Sequence, residues 1–358
     1  MIGGFLGAGK TSAMIRLANY LAAKGLRPGL ITNDQSVDLV DTARVRSARF
    51  PVQEITGSCF CCNFNGLIRV SELLATEHSP DVLIAEPVGS CTDVRATIGH
   101  PLRKLYGTTY QVAPLSVLVD PARFSQFLWP HTGKAFSDKV LYIYGKQLEE
   151  ADVLVINKID LLAASQRQLL LNSAQEQFPQ TKICGVSCVT GEGLTDWFDY
   201  ILASQPNNSR AMEVDYDTYA EGEALLGWLN ASMRIRGSKK CNGTLFLSDM
   251  ATEIHKRLSD RGIEIAHLKM TLIPDGSLEI GAVSLTRTNG RIQVTNRLQD
   301  VSADGELRIN LRAEADPEFL KKHVLLALEN SPLTASVCGD IHAFRPGRPN
   351  PTHRMAYV

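Results

Sequence analysis

Three short stretches of this chain carry residue types whose spacing can do chemistry. The first, Gly4-Phe5-Leu6-Gly7-Ala8-Gly9-Lys10-Thr11, fits the pattern G-x-x-x-x-G-K-[ST] with an apolar helical stripe directly after it. Glycines at those positions permit a tight turn whose backbone N–H groups converge on phosphate oxygens, and the start of the following helix adds partial positive charge. Gly4, Gly7, Ala8, Gly9 and Ser12 then line the cradle, Lys10 reaches the β- and γ-phosphates, and Thr11 offers its hydroxyl to Mg²⁺. The second stretch, Asn157-Lys158-Ile159-Asp160, follows the apolar run 153–156, at the edge where open α/β sheets bind ligands. A carboxylate there accepts hydrogen bonds from guanine N1–H and from its 2-amino group, donors that adenine does not offer, so Asp160 favours GTP over ATP. Ser187 and Cys188 open the segment Ser187-Cys188-Val189-Thr190-Gly191-Glu192-Gly193 after the next apolar run, where a further base-contacting loop belongs.

The third stretch is Cys59-Phe60-Cys61-Cys62. Three sulfurs within four residues can converge on one ion, and thiolates select Zn²⁺ and other borderline or soft metals over Mg²⁺ or Ca²⁺. The helical pattern that begins soon afterwards favours the thiolate form. Three protein ligands leave a fourth position open to water or to a recipient, which suits transfer better than a closed structural site. Three inert or redox-active thiols fit the same spacing. Cys91 reads either as an ordinary buried thiol or as a sulfur that approaches the trio when GTP orders residues 86–93.

The elements that must position these residues follow from the wider pattern. A chain of 358 residues suits about two domains. Its 44% hydrophobic and 21% charged content is that of a globular protein, not of a disordered or coiled-coil chain. No apolar run approaches the ~18 residues of a membrane span. A net charge of -1 gives no reason to expect nucleic acid or an anionic membrane as partner. The opening Met1-Ile2-Gly3-Gly4 has neither the charged region nor the apolar stretch of a signal or transit peptide, and three of the eight cysteines crowd together, so a cytoplasmic protein with reduced thiols is expected.

Up to about residue 205, apolar runs at 29–32, 82–85, 115–119, 153–156 and 182–186 alternate with helical patterns, the signature of a doubly wound, mostly parallel α/β sheet. Met14, Leu17, Ala18 and Leu21 form the stripe of the first helix, and Leu194, Trp197, Phe198, Ile201 and Leu202 that of the last. Residues 205–209 are polar and breaker-rich and read as a linker. Beyond it, alternating segments at 214–220, 263–272, 278–286 and 307–311, with one helix starting near Ser248 and another at Asp316-Pro317, predict a smaller α+β domain of ferredoxin-like type. The expected division is therefore a domain over 1–205, a second over 210–342 and an extended proline-rich tail over 343–358. His267 and Lys269 fall on one half-exposed sheet face, with a ligand role for His267 as the alternative. Arg345, Arg348, His353 and Arg354 read as a solvated tail, with partner docking as the alternative.

Over residues 1–205 the sequence resembles the CobW-like metallochaperone GTPases, SIMIBI-class P-loop proteins related to UreG and HypB. The resemblance rests on residues 4–11, on Gly57 with Cys59-Phe60-Cys61-Cys62, on Glu86-Pro87-Val88-Gly89, and on Asn157-Lys158-Ile159-Asp160. In that family a Glu-x-x-Gly after a core strand replaces the usual switch II aspartate. It implies that Glu86 acts beside Lys10 near Mg²⁺ or the attacking water, and that Gly89 senses the γ-phosphate. The implied protein binds GTP or GDP with Mg²⁺ and hydrolyses GTP. It carries a transition metal, Zn²⁺ first by ligand type with Co²⁺ or Ni²⁺ open, and delivers it to a client metalloprotein or cofactor pathway. A nucleotide-dependent homodimer is a compatible assembly. Hydrolysis should be slow without an activating partner, because no sequence feature identifies a catalytic arginine.

The chain also departs from the family pattern. Only Met1 and Ile2 precede Gly3, so the strand before the phosphate loop is expected to be nearly absent unless the natural start lies upstream. The family's Asn-Glu-Phe-Gly-Glu is replaced by Asn33-Asp34-Gln35-Ser36-Val37-Asp38, and no His-rich tract is present. Two rival readings remain. One is a GTPase that gates loading or reactivation of a corrinoid enzyme without carrying metal. The other is a non-catalytic metal sensor with a structural nucleotide site.

Overall fold

A computed structural model describes residues 1–33, 50–130, 136–207, 210–236, 241–277, 279–301, 304–331 and 336–358. Asp34, Gln35, Ser36, Val37 and Asp38 lie outside the described residues. The described residues fall into two compact units, one comprising the chain up to Gly222 together with Arg348–Val358, the other Glu223–Gly347.

In the first unit β1 (Ile2–Gly4) is followed by α1 (Lys10–Ala23), β2 (Pro28–Asn33), β3 (Val52–Ile55), α2 (Phe64–His78) and β4 (Val82–Glu86). Then come α3 (His100–Tyr106), β5 (Ser116–Val119), α4 (Pro121–Leu128), α5 (Asp138–Glu149), β6 (Val153–Ile156), α6 (Ala164–Gln177), β7 (Lys182–Gly185), α7 (Leu194–Ala203) and α8 (Tyr216–Leu225). All ladders are parallel, as the alternation of apolar runs with helices requires. They form two groups, β1-β5-β6-β7 and β3-β2-β4. The strand before the phosphate loop is present but has only three residues, all buried, paired Ile2 with Ser116, Gly3 with Val117 and Gly4 with Leu118. Among the described residues it is laddered to β5 alone, which is why the parallel sheet divides there. The predicted stripe of α1 packs with Trp197, Phe198 and Ile201 of α7 against β1, β5 and β6. Each such large side chain contributes ~1.5–3 kcal/mol on burial. Leu202, placed on that stripe by the sequence, is instead exposed.

The second unit runs β8 (Leu226–Arg236), α9 (Gly243–Ser259), β9 (Ile265–Pro274), β10 (Gly281–Leu285), β11 (Gln293–Asn296), β12 (Gly305–Glu314), α10 (Pro317–Glu329) and β13 (Ser336–Phe344). Its antiparallel sheet has the order β11-β10-β9-β12-β8-β13. Within it, β8, β9, β12 and β13 with their two helices reproduce the split βαβ arrangement expected of a ferredoxin-like domain. Phe246, Met250 and Ile254 of α9 and Leu320 and Val324 of α10 bury against Leu229, Leu268 and Leu311 of the sheet.

Several boundaries differ from expectation. The segment 214–220, which alternates like a strand, opens helix α8, because Asp215 accepts from the N–H groups of Asp217 and Thr218 and so caps a helix start. Helix α9 begins at Gly243 with Asn242 as its cap, accepting from Leu245 N–H at 3.0 Å, while Ser248 lies inside the helix and donates to Thr244 O. The division between units falls inside α8 and not at 205–209, of which 208 and 209 lie outside the described residues. The expected tail 343–358 is also divided. Its first two residues end β13, and Arg348–Val358 belongs to the first unit, with Arg354 paired to a buried aspartate and His353 packed on Phe64 instead of solvated. His267 is 7% exposed, while Lys269 on the same face is half-buried.

Candidate nucleotide and metal site

The phosphate loop is braced from behind by the second motif. Asn157 Nδ2 donates to Ala8 O at 2.9 Å, and its Oδ1 accepts from Cys188 N–H at 3.1 Å. A Cβ on Gly9, whose φ is +98°, would lie 2.4 Å from Asn157 Nδ2, so only glycine admits this brace. Lys158 donates to Gly7 O at 2.9 Å and to Asp120 Oδ2 at 2.8 Å. Asp120 Oδ1 in turn caps α4 through the N–H groups of Ala122 and Arg123. The sequence analysis did not single out Asp120, although Asp120-Pro121 is the same cap-and-proline signal it used at Asp316-Pro317.

Asp160 is exposed on the turn that follows Lys158, as a base-reading carboxylate must be. Ser187 is buried, and its Oγ accepts from Val189 and Thr190 N–H, shaping the adjacent loop. Cys188 is also buried, its thiol pushed up to about 11 by that burial, and it acts through its backbone, the carbonyl accepting from Arg16 Nε. Lys10 is buried with Nζ 3.4 Å from Phe5 O, and Ser12 is half-buried in the first turn of α1. Thr11 Oγ1 donates to Glu86 Oε1 at 3.1 Å, both side chains being buried. The hydroxyl and the carboxylate expected to serve Mg²⁺ thus meet across 75 residues of sequence. A Cβ on Gly89 would stand 2.6 Å from Leu6 Cδ2 and 3.1 Å from Lys10 Nζ, so this glycine abuts the phosphate loop.

The cysteines lie on the loop between β3 and α2, and Asn33 at the end of β2 shapes that loop. Its Nδ2 donates to Ile55 O and Ser58 O at 3.0 and 2.7 Å, and its Oδ1 accepts from Phe60 N–H at 2.8 Å. Phe60 points inward and is fully buried, which leaves Cys59, Cys61 and Cys62 on a common side. Their sulfurs are 2.7 Å (59–61), 3.1 Å (59–62) and 3.7 Å (61–62) apart. Tetrahedral sulfurs at the usual Zn–S length of about 2.3 Å stand about 3.8 Å apart, so small outward movements suffice for one ion. Cys59 and Cys61 are buried and Cys62 is half-buried.

A fourth sulfur lies beside two of them. Cys91, buried, hydrogen-bonds with Cys59 and Cys61. Hydrogen bonding with Cys61, Cys62 and Cys91 holds Cys59 far below the ordinary thiol range. The same interaction pushes Cys61 up, and Cys62 up to about 11. Hydrogen bonding among these sulfurs thus favours a thiolate within the cluster, the form that binds metal.

Residues 86–93 connect the two ends. Glu86 meets Thr11, Gly89 meets the phosphate loop, Cys91 meets the other sulfurs, and Asp93 accepts from Tyr216 Oη at 2.8 Å and Arg354 Nε at 2.7 Å. Gln147 of α5 fixes the middle by donating to Gly89 O and Cys91 O at 3.0 and 2.8 Å. Nothing in the sequence pattern marks Gln147, and Asn33 stands out there only as the first residue of the segment that departs from the family pattern, because their partners are backbone atoms distant along the chain.

The family profile described as CobW/HypB/UreG, nucleotide-binding domain, matches residues 1–184, just over half the chain. The chain belongs to this family. Among curated proteins, the CobW/HypB/UreG-type chain is 29% identical over 182 residues to the zinc chaperone YeiR of Escherichia coli, covering 48% of this chain and 49% of YeiR. It thus spans about half the length of that relative. Among solved structures, HypB of Helicobacter pylori in complex with nickel aligns at 22% identity and a TM-score of 0.40, over 56% of this chain and 83% of HypB. The Zn(II)-bound YjiA GTPase of E. coli aligns at 14% identity and a TM-score of 0.33, over 92% and 97%. No helix among the described residues of this CobW-type chain is long and apolar enough to cross a membrane.

Proposed function

We propose that this protein is a GTP-hydrolysing metallochaperone in which nucleotide state sets the affinity of a cysteine site for a transition metal, which is then delivered to a client metalloprotein or cofactor pathway. The observation that carries the reading is the path of residues 86–93, from Glu86 on the Thr11 hydroxyl to Cys91 on the sulfurs of Cys59 and Cys61. GTP is held by residues 4–12, with Lys10 on the β- and γ-phosphates and Asp160 reading guanine. Mg²⁺, held by Thr11 with Glu86 beside it, supplies charge neutralisation at the phosphates. Gly89 approaches the γ-phosphate as the loop closes, and displacing residues 89–91 by even an ångström changes what Cys91 can reach. Cys59, Cys61 and Cys62 hold the cargo, and Cys91 adds a ligand in one nucleotide state and withdraws in the other, which makes delivery directional. Zn²⁺ is the first choice by ligand type, in keeping with the zinc chaperone YeiR, and Co²⁺ and Ni²⁺ suit the same sulfurs less selectively.

The test is competitive metal titration of the reduced protein in GTP, GDP and nucleotide-free forms, with phosphate release followed in parallel. The coupled reading requires affinities that differ between the GTP and GDP forms, and it requires that Cys91→Ser shrink the difference. Equal affinities in all three forms would discard the coupling and leave only the GTPase.

A further inference from the structure

The stretch Arg348–Val358 belongs to the same compact unit as the cysteine motif, although it lies far beyond the residues that the family profile matches. It runs directly over that motif. Asn350 N–H donates to Cys62 Sγ at 3.2 Å, Thr352 N–H donates to Cys61 O at 2.8 Å, and Thr352 Oγ1 donates to Cys62 O at 3.1 Å. His353 then stands edge-on to Phe64, with ring centroids 5.0 Å apart. Arg354 pairs with Asp93 at 2.7 Å, and Met355 N–H donates to Ala96 O at 2.9 Å. One short strap therefore touches both the metal motif and the end of the segment that reaches back to Glu86.

Its sequence, Pro349-Asn350-Pro351, suits it to this task. Proline has no N–H, so Asn350 supplies the single backbone donor of those three residues, and the fold spends it on a sulfur. Pro351 also biases Asn350 toward extended backbone, so the donor is aimed before any metal arrives. Cys62 is the half-buried sulfur of the trio, hence the one most accessible to a recipient, and it is the one the strap covers. The Arg354–Asp93 pair joins the strap to residues 86–93, Asp93 being 1% and Arg354 38% exposed in their side chains, so loss of the arginine leaves a carboxylate with little access to water.

We propose that residues 350–355 are the cover of the metal site: Asn350 is a positioning residue that steadies Cys62 through its N–H, and the Arg354–Asp93 pair ties seating of the cover to residues 86–93. Metal handover then requires the cover to lift. This rests on the cysteine site proposed above.

The full-length protein loaded with Co²⁺ or Zn²⁺ provides the test. Asn350→Pro deletes the N–H while also fixing φ at position 350 and removing the amide side chain, so Asn350→Ala, which keeps the N–H, is the paired control, and GDP affinity checks that both variants are folded. In Asn350→Pro, transfer of metal to an excess of a small chelator should accelerate about tenfold or more, the worth of one hydrogen bond to a charged sulfur. The sulfur-to-cobalt charge-transfer band should shift with it. Arg354→Ala should accelerate transfer in one nucleotide state and narrow the difference between GTP and GDP. A second measurement needs no metal: the Thr352 amide of the metal-free protein should exchange slowly with deuterium, and Arg354→Ala should release it. Wild-type transfer rates in Asn350→Pro and Arg354→Ala, or unprotected exchange in the wild-type protein, would overturn the cover. A wild-type protein that holds no metal yet protects Thr352 would instead overturn the cysteine-site reading on which the cover's purpose depends.

Discussion

Asp120 lies just past the end of β5 and holds Lys158, and Lys158 holds the phosphate loop through Gly7 O. Asp120→Asn isolates the charge, because an asparagine oxygen still accepts from the Ala122 and Arg123 N–H groups that begin α4. What is lost is a charge-assisted contact of 2.8 Å between side chains only 14% and 6% exposed. Hydrogen bonds to charged groups contribute ~1.5–3 kcal/mol, and removing one partner of a fully buried pair costs up to ~5 kcal/mol. Lys158 keeps the Gly7 carbonyl and some access to water, so the lower range applies, about 2 kcal/mol. At ~1.4 kcal/mol per decade, that is roughly a 30-fold loss of nucleotide affinity. Asp120→Ala additionally removes the helix cap, ~1 kcal/mol, which should lower the thermal unfolding midpoint further. The assay is titration with a fluorescent GDP analogue of wild type, Asp120→Asn, Lys158→Met and the double variant. Because both side chains act through one contact, the double variant should bind no worse than Lys158→Met, a coupling of about 2 kcal/mol. Losses that simply add, or an Asp120→Asn protein with wild-type affinity, would refute this account of how the loop is held.

Gly89→Ala should slow phosphate release about tenfold or more while GDP affinity changes little, since the added Cβ meets Leu6 and the Lys10 ammonium, where we propose the γ-phosphate is sensed; unaltered turnover would remove Gly89 from that role. Asn33→Ala strips three hydrogen bonds from the cysteine loop and should weaken metal binding on the order of tenfold or more in the chelator competition assay, with nucleotide affinity as the unaffected comparison. Glu150 gives a pH prediction. Burial pushes its carboxyl up to about 8 against the opposing Arg95 N–H, so it is neutral in the folded protein over a range where the unfolded chain, near 4.5, is ionised. Its contribution to stability is complete below about pH 4.5 and is lost as pH rises through about 8. Glu150→Gln should therefore gain stability relative to wild type between pH 5 and 8 in thermal unfolding, by at most ~4 kcal/mol. A difference that does not vary with pH would show that the carboxyl titrates normally.

Much of the candidate site was legible in local spacing. The phosphate loop, Asp160 with its proposed role in reading guanine, and the trio Cys59, Cys61 and Cys62 are each contained within a few residues, and the chemistry expected of them rests on side-chain type and interval. The alternation of apolar runs with helical stripes likewise specifies a parallel sheet, because burial on both faces leaves little choice of residue. Where two local signals competed, the pattern misled: Val214 to Ala220 alternates like a strand, yet the Asp215 cap starts a helix.

Contacts between distant segments were decided only by the folded chain. Thr11 meets Glu86, Asn157 bridges Ala8 to Cys188, and Cys91 reaches the sulfurs of the 59–62 loop, each across many residues that no periodicity connects. The C-terminal strap is the clearest instance. Read in isolation, prolines and basic residues at the end of a chain suggest a solvated tail, because nothing local shows which backbone groups already have partners. Most buried carbonyls, sulfurs and carboxylates find a donor, and around the cysteines several of those donors are Asn350, Thr352 and Arg354. Side-chain type and spacing named the chemistry; the requirement that buried polar groups be satisfied determined which remote residues surround it.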